Sequence, residues 1–317
     1  MRADEPGWNA TSDDLDPQRF EIHTTTLRGQ SQAYVHEGRG GVPLLLVHGY
    51  PETKRIYYRV IEPLVAAGFE VIVPDLRAYG DSDVGADGFH DVVASSLDLQ
   101  SLIHDHLGHE RVVLAGSDFG GAIVQDLALR FPDLVERLVL ANCPLPVIAD
   151  EMAGLTTLAT GAHDYFVRQG TDGDALAAEL ATPGERLRYI STFYSSRFWA
   201  HPGSFDEAAI AFHAEPFADG DKLRASWGCY ESVFDPAARA GRSMITRNPD
   251  ISALLLFGPS DHVIGPDWDR MAAVVFPDHV GPYLLRDVGH FISWEAPQRF
   301  AGAITSFCGD LLNGRSD

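Results

Sequence analysis

Short runs of consecutive apolar residues recur along the chain, and stretches with helical periodicity separate them. The runs have the length of strands and lack polar alternation, which is typical of strands buried on both faces of a sheet. They lie at 42–47, 69–75, 112–115, 135–141, 253–258 and 282–285, and helices are predicted at 56–67, 91–107, 121–131 and 297–312. Strands that alternate with helices of this length indicate a parallel α/β sheet with helices on both faces.

Two parts of the chain depart from this alternation. Residues 20–27 and 32–36 alternate apolar and polar positions, which predicts an antiparallel hairpin at a sheet edge. Residues 145–244 are rich in aromatic side chains and helical in pattern, without a buried strand pattern. We therefore predict a core formed by 20–144 and 245–317 and a helical cap, or lid, at 145–244. A lid inserted after a strand would lie over the carboxyl ends of the strands, where open α/β sheets bind ligands.

Composition limits the partners and the compartment. The net charge of -21, from 24 basic and 45 acidic residues among 317, argues against nucleic acid or an anionic membrane surface as a partner. The three cysteines lack the spacing of a zinc site or a disulfide framework. The polar lead-in at 1–19 has no apolar segment of signal-peptide length, and no later run is long enough to span a membrane. We expect a cytoplasmic protein without membrane insertion, either a monomer or a homodimer.

Three aspartates follow the predicted strand at 69–75. Asp81, Asp83 and Asp87 lie close together in sequence, but they lack the fixed spacing of a calcium-binding loop. With the cysteine spacing, this predicts a protein that holds no metal.

A glycine-rich corner carries the first candidate for chemistry. The apolar run from residue 112 enters it and leaves as a helix, with Asp118 at the apex between Gly116 and Gly120. Glycines on both sides let a strand reverse sharply into a helix, and such a strained corner exposes its apical side chain above a parallel sheet. The backbone N–H of the next residue, Phe119, would point to where an oxyanion forms. Asp118 is therefore predicted to be a nucleophile, with a carboxylate in place of a hydroxyl.

Two further residues at predicted strand ends complete a catalytic set. Asp261 follows the run at 253–258, and His290 follows the last predicted strand. The chain order of nucleophile, acid and histidine is that of the α/β-hydrolase arrangement. A carboxylate is already ionised at neutral pH, so Asp118 could attack an electrophilic sp³ carbon without a base.

Several motifs together resemble the epoxide hydrolase and haloalkane dehalogenase branch of the α/β-hydrolases. Residues 48–51 are similar to its His-Gly-x-Pro oxyanion loop, 117–121 to its small-x-Asp-aromatic-Gly-Gly elbow, and 77–82 to its Gly-Tyr-Gly-x-Ser loop. The resemblance covers nearly everything after residue 20 and implies a mostly parallel eight-stranded sheet with a helical lid. In many relatives the acid follows the preceding core strand, where this chain has Asn142, which cannot ionise. Asp261 is the better assignment.

The resemblance also implies a two-step mechanism without a cofactor. Asp118 would form an alkyl ester with the substrate, and a water activated by His290, which Asp261 orients, would hydrolyse that ester. The N–H groups of Tyr50 and Phe119 would hold the oxyanion.

The leaving group separates the reactions of this branch. An epoxide needs an acid for its ring oxygen, whereas a halide needs N–H donors, commonly an indole after the nucleophile, where this chain has Phe119. Epoxide hydrolases supply the acid from the lid, and the resemblance assigns Tyr230 and His163, with Tyr165 as competitor for the second position. A phenol is protonated at neutral pH and can donate.

We therefore expect an epoxide hydrolase that takes a small apolar epoxide and water to a vicinal diol. A haloalkane dehalogenase with the same three residues is the main alternative. An esterase would ordinarily use serine, and Ser117 is beside the apex rather than at it. A non-catalytic ligand-binding protein of the same fold is the remaining alternative.

Overall fold

The computed structural model describes residues 10–157, 163–248 and 250–314, with His163 described by its backbone alone. One mixed sheet of eight strands organises this part of the chain. The strands are β1 (Ile22–Leu27), β2 (Gln30–Glu37), β3 (Val42–Val47), β4 (Phe69–Pro74), β5 (Val112–Ser117), β6 (Val135–Ala141), β7 (Ala253–Phe257) and β8 (His279–Leu284).

The strand order is β1-β2-β4-β3-β5-β6-β7-β8. β1, β2 and β4 pair antiparallel, and all pairs from β4 to β8 are parallel. The mostly parallel α/β sheet expected from the alternation of strands and helices is therefore confirmed. Parallel pairing brings the carboxyl ends of β3, β5, β6 and β7 to one edge, so the loops that follow them meet there.

The helices form two groups. Those of the core are α1 (Tyr58–Ala66), α2 (Val92–Gln100), α3 (Asp118–Arg130), α10 (Trp268–Val275), α11 (Ile292–Glu295), α12 (Pro297–Phe307) and α13 (Gly309–Asn313). α1 packs against α11 and α12, and α2 packs against α3. The buried strands lie between these helix layers, which explains why β3 to β7 have almost no polar positions.

The segment between β6 and β7 contains the second group and, in its described part, no strand. Its helices are α4 (His163–Thr171), α5 (Gly173–Glu179), α6 (Pro183–Ser195), α7 (Glu207–Ala214), α8 (Gly220–Ala225) and α9 (Gly228–Phe234). Short 3₁₀ turns lie at Lys54–Tyr57, Pro132–Leu134, Glu215–Ala218 and Pro236–Ala238. We call residues 145–244 the lid. Within the described residues, no helix is both long and apolar enough to cross a membrane.

Two predicted elements differ from the structure at one end. The predicted helix at 91–107 is α2, and it continues as a π-helical turn at Ser101–His106. The predicted last strand at 282–285 is wrong at its start, because β8 begins at His279, before Gly281 and Pro282. Glycine and proline usually end a strand. Here the sheet accommodates them on its edge strand through a register shift opposite β7.

Candidate active site

Asp118 lies at the apex of the corner between β5 and α3. Its φ of 48° is in the left-handed region, which asparagine and aspartate tolerate better than most residues. Its N–H donates to the Asn142 carbonyl oxygen at 3.0 Å. A Cβ on Gly120 would collide with the carbonyl oxygen of Val47, and one on Gly121 with the side chain of Cys143. The glycines therefore allow α3 to start directly against neighbouring strand ends.

The loop after β3 approaches Asp118 from the side. The Tyr50 N–H donates to Asp118 Oδ1 at 2.8 Å. A Cβ on Gly49 would collide with the Asp118 side chain, so the backbone lies directly against the carboxylate. Phe119 occupies the first turn of α3, where backbone N–H groups lack partners within the helix. The two residues expected to form an oxyanion hole thus flank the same carboxylate.

Two buried side chains fix this loop. The His48 Nδ1–H donates to the Gly49 carbonyl oxygen at 2.9 Å, and its Nε2 accepts from the Leu76 N–H at 3.0 Å. Burial lowers the pKa of His48 to about 4, so the imidazole stays neutral. Glu52 Oε2 accepts from the Gly49 N–H at 2.7 Å, and burial raises the pKa of Glu52 to about 7. Glu52 is not among the residues predicted for the site, although it directly follows the His-Gly-x-Pro motif.

His290 joins the two aspartates. Its Nδ1 lies 2.8 Å from Asp261 Oδ2, and its Nε2 lies 3.4 Å from Asp118 Oδ2. The other Asp261 oxygen accepts the N–H groups of Val263 and Ile264, at 2.7 and 3.2 Å. Burial alone would lower the pKa of His290, but the charges of Asp261 and Asp118 outweigh it and hold that pKa well above its usual value. The three residues proposed from chain order are thus within contact distance, with the imidazole between the carboxylates.

Glu295 fixes the loop that carries His290, and the sequence analysis did not identify it. It is 1% exposed, and Oε2 accepts from the N–H groups of Gly289 and His201 at 2.8 and 2.9 Å. The lid also touches the histidine directly, since the Trp199 carbonyl oxygen accepts the His290 N–H at 2.7 Å and the two rings are 4.7 Å apart. One buried carboxylate therefore ties the histidine loop to the lid.

Asn142 follows β6, the position where many relatives of this branch have their acid. Its Nδ2 donates to the Gly289 carbonyl oxygen at 2.8 Å, and its Oδ1 accepts from the Gly258 N–H at 2.9 Å. The side chain therefore ties together the loops that carry Asp261 and His290. This amide connects the loops, and Asp261 contacts the imidazole.

A cavity of about 260 Å³ extends from Asp118 to the lid. Most of its lining is apolar, and the residues are Asp118, Phe119, Cys143, Pro144, Leu145, Val147, Thr157, Tyr165, Phe166, Tyr230, Val233, Val263, Ile264, Gly265, Trp268 and Met271. Tyr230 from α9 and Tyr165 from α4 have ring centroids 5.9 Å apart. The buried Tyr230 hydroxyl has no hydrogen-bond partner within the described part of the chain. Burial raises the pKa of both phenols well above the usual value, so both stay protonated.

The expected lid acids differ in what the structure says of them. Tyr230 and the competitor Tyr165 face the same cavity as Asp118. The His163 side chain lies outside the described residues, although the backbone of His163 begins α4. Of the two residues considered for the second position, Tyr165 is the one that the described structure places at the cavity.

The indole N–H of the tryptophan that lines the cavity already donates a hydrogen bond to a backbone carbonyl oxygen. The Trp268 indole N–H donates to the Cys143 carbonyl oxygen at 2.6 Å. Phe119, which follows the nucleophile candidate, has no side-chain N–H. Neither residue offers the cavity a free indole donor.

The chain matches the family described as alpha/beta hydrolase fold over residues 42–297. A soluble epoxide hydrolase from Corynebacterium sp. (strain C12) is 28% identical, with 87% of this chain and 93% of that protein covered. Epoxide hydrolase 4 from Mus musculus is 32% identical, with 86% and 75% covered. A cis-3-alkyl-4-alkyloxetan-2-one decarboxylase from Shewanella oneidensis is also 32% identical, with 91% and 88% covered.

The solved structures agree with the sequence relatives. The epoxide hydrolase CorEH without ligand superposes with a TM-score of 0.77 at 26% identity, covering 92% of this chain and 99% of that one. These matches confirm the family that the elbow, the oxyanion loop and the order of catalytic residues indicate.

Proposed function

This chain belongs to the α/β-hydrolase fold family, and we propose that its reaction is the hydrolysis of an epoxide to a vicinal diol. The observation that carries the proposal is the cavity, which is lined by a buried carboxylate and by two phenols. A nucleophile and two protonated donors in one cavity suit a substrate whose carbon is attacked while its ring oxygen accepts a proton. The soluble epoxide hydrolase relative and the CorEH fold support the same reaction.

The first step uses the carboxylate and the phenols together. One oxygen of Asp118 attacks an epoxide carbon, the bond from that carbon to the ring oxygen breaks, and the ring oxygen takes a proton from Tyr230 or Tyr165. The Tyr230 hydroxyl has no hydrogen-bond partner among the described residues, so it is available to donate to the substrate. A buried hydroxyl without a hydrogen bond is energetically costly, and the oxygen of a bound epoxide would supply the missing acceptor. The product of the step is an alkyl ester on Asp118.

The second step uses the core residues. His290 takes a proton from a water that attacks the ester carbonyl of Asp118, and the N–H groups of Tyr50 and Phe119 stabilise the oxyanion. Esterification removes the charge of Asp118, one of the two carboxylates that raise the pKa of His290. The imidazolium is therefore easier to deprotonate, and the phenolate left by the first step takes its proton, which restores the tyrosine and leaves His290 neutral when a base is required. Cleavage of the ester releases the diol and restores Asp118.

The alternative reaction of a haloalkane is less well supported by these residues. A departing halide would need N–H donors, whereas the Trp268 indole donates to Cys143 and Phe119 has none. A halide leaves as a stable anion, so it would not need the proton that the two phenols can deliver.

A β-lactone decarboxylase is a second candidate, favoured by the relative from Shewanella oneidensis that aligns over 91% of this chain. A dialkyl β-lactone is another strained oxygen ring that would suit an apolar cavity. Its ring opens to a carboxylate, which is a stable anion and needs no phenol as acid. Tyr165 and Tyr230 therefore favour the epoxide.

A product assay separates these reactions. The purified protein would be incubated with styrene oxide, 1,2-epoxyhexane, 1-bromohexane and a cis-3,4-dialkyl β-lactone, and products measured by gas chromatography and halide release. We expect diols from the epoxides. Bromide release without diol would favour the dehalogenase, and alkene with CO₂ the decarboxylase. Tight binding of the same compounds without any product would favour a non-catalytic binding protein.

We also propose that residues 145–244 act as a lid that closes the cavity, and that the enzyme is cytoplasmic. Contacts between the lid and the core, such as those of Trp199 with His290, support the lid assignment. The three cysteines are free and buried, which suits a reducing compartment. A homodimer stays a prediction, and size-exclusion chromatography with light scattering would measure it.

A further inference from the structure

Three possible metal ligands meet at the opposite end of the sheet from Asp118. They are His36 of β2, Glu70 of β4 and His109, which precedes β5. Glu70 Oε1 lies 2.6 Å from His36 Nε2 and 3.3 Å from His109 Nε2. One ligand atom from each residue lies within 4.8 Å of the other two. This is the one such trio of histidine, cysteine or acidic residues among those described, and the proposed hydrolysis does not use it.

The register of the sheet creates this cluster. His36 pairs with Ile72 across the antiparallel β2 and β4, so Glu70, two residues earlier, projects from the same face. Glu70 also pairs with Pro43 near the start of β3, whereas the catalytic loop leaves the far end of that strand. His109 is brought over this face by the turn after the π-helical segment, where its N–H donates to the Ile103 carbonyl oxygen at 3.0 Å.

Two histidine nitrogens in the cluster are incompletely satisfied. His109 Nε2, the nitrogen that faces Glu70, is buried without a hydrogen-bond partner in the described structure. His36 Nδ1 is also buried without one, but the nitrogen of His36 that faces Glu70 is Nε2. The His36 side chain is 4% exposed. Glu70 is oriented by its second oxygen, which accepts the Gly40 N–H at 2.9 Å. Buried polar atoms without partners are rare in folded proteins, and a bound ion is one way in which such an atom is satisfied, which applies here to His109 Nε2.

We propose that His36, Glu70 and His109 bind one zinc ion. Two imidazoles and one carboxylate form a ligand set that zinc accepts, whereas magnesium and calcium prefer oxygen ligands alone. Tetrahedral zinc with bonds of about 2.0 to 2.1 Å separates its ligand atoms by about 3.3 Å. The Glu70 to His109 distance already matches this value. The shorter Glu70 to His36 contact would lengthen as the ion replaces the shared proton.

The residues around the cluster affect the zinc affinity that we expect. Arg39 is a positive charge that acts on His36 and opposes a cation. With one anionic ligand and this neighbour, we expect micromolar rather than nanomolar binding. His23 and Tyr34 lie beside His36, with ring centroids 6.3 Å from it. These two rings, from β1 and β2, cover one side of His36, and His109 is the least buried of the three ligands.

Calorimetry of the tag-free, chelator-treated chain with zinc chloride at pH 7.5 tests the proposal. We expect one equivalent to bind, with affinity at least about 30-fold weaker in Glu70→Gln and His109→Gln. Zinc should also raise the Tm of the wild-type chain but not of these variants. His109 is half-buried, so its variant keeps the test available if Glu70→Gln prevents folding. Epoxide hydrolysis should be unchanged in His109→Gln.

His104→Gln is the matched control. His104 lies in the π-helical turn before His109, but its side chain is 57% exposed and contacts Asp105. Wild-type zinc affinity in this variant supports the proposed site. Equal loss in His104→Gln and His109→Gln, or the lack of a saturable equivalent in the wild type, would overturn it in favour of adventitious histidine binding.

Discussion

Asp118, Asp261 and His290 lie on strand ends and loops fixed by hydrogen bonds, whereas the side chains of Tyr165 and Tyr230 pack mainly against other aromatic rings. The centroid of the Tyr230 ring is 4.7 Å from that of Phe119 and 5.3 Å from that of Tyr50, and both contacts are edge-on. Ring contacts of this kind restrict position less than a buried carboxylate with several N–H donors does. Directional hydrogen bonds therefore hold the core half of the site, and ring packing holds the two phenols of the lid half.

The difference separates two parts of the chemistry. In the proposed mechanism the core residues form and hydrolyse the ester. In the same proposal the lid residues assist the leaving group and shape the space for the substrate. Changes in the core should therefore stop every substrate, whereas changes in the lid should act selectively on ring opening.

The largest effect is expected at the nucleophile. Asp118→Asn keeps a residue that tolerates positive φ but replaces the carboxylate by a poor nucleophile, so kcat/KM for styrene oxide should fall by about 10⁴-fold or more. Ser117→Ala, next to the apex, is the control and should keep most of the activity. Substantial turnover by Asp118→Asn would refute covalent catalysis by this residue.

The next largest effect is expected at Asp261. Asp261→Asn removes the charge that orients and stabilises the His290 imidazolium, so ester hydrolysis should slow by about 10² to 10⁴-fold. Ester formation should change much less, because Asp118 attacks without the imidazole. Rapid-quench kinetics would separate the steps. Adding Asn142→Asp to Asp261→Asn should not restore activity, since the new carboxylate at position 142 would face the Gly289 carbonyl oxygen. Restored activity would assign the role of the acid to position 142.

A smaller and more selective effect is expected in the lid. Tyr230→Phe removes one ring-opening donor and should cost about 2 to 4 kcal/mol, a factor of about 30 to 900 in the rate of ester formation. The rate of ester hydrolysis should stay the same. Tyr189→Phe is the matched control, because this hydroxyl contacts Gln169 away from the cavity. Equal slowing of both steps by Tyr230→Phe would mean that the lid supports the core rather than the leaving group.

The smallest effect concerns stability in the core half. Burial raises the pKa of Glu52 to about 7, so the folded chain keeps a proton that the unfolded chain loses near pH 4.5. Through this group the free energy of unfolding falls as pH rises between these values. The glutamine in Glu52→Gln does not ionise. The free energy of unfolding of this variant, relative to that of the wild type, should therefore be higher at pH 8 than at pH 5 by on the order of 1 to 3 kcal/mol.

Urea unfolding at several pH values would measure this change in stability. The exposed Glu110→Gln variant is the control and should follow the wild type at each pH. A parallel pH dependence of the wild type and Glu52→Gln would show that Glu52 is ionised throughout.

The two halves also differ in how far the sequence predicts them. The elbow and the order of Asp118, Asp261 and His290 are local patterns at strand ends, and parallel strands bring such ends together. Glu295 and Asn142 act through contacts between distant loops, which periodicity does not reveal. The choice between His163 and Tyr165 depends on how α4 lies over the cavity. The start of β8 was mispredicted because glycine and proline, which usually end strands, are accommodated at this sheet edge.

The most direct test of the account is to trap the ester. In His290→Gln the first step should proceed and the second should stop, so brief incubation with styrene oxide should add one epoxide mass to the peptide that contains Asp118. The double variant Asp118→Asn with His290→Gln should show no addition. A His290→Gln protein that is folded and binds the epoxide, but gains no mass on that peptide, would contradict the proposed covalent mechanism.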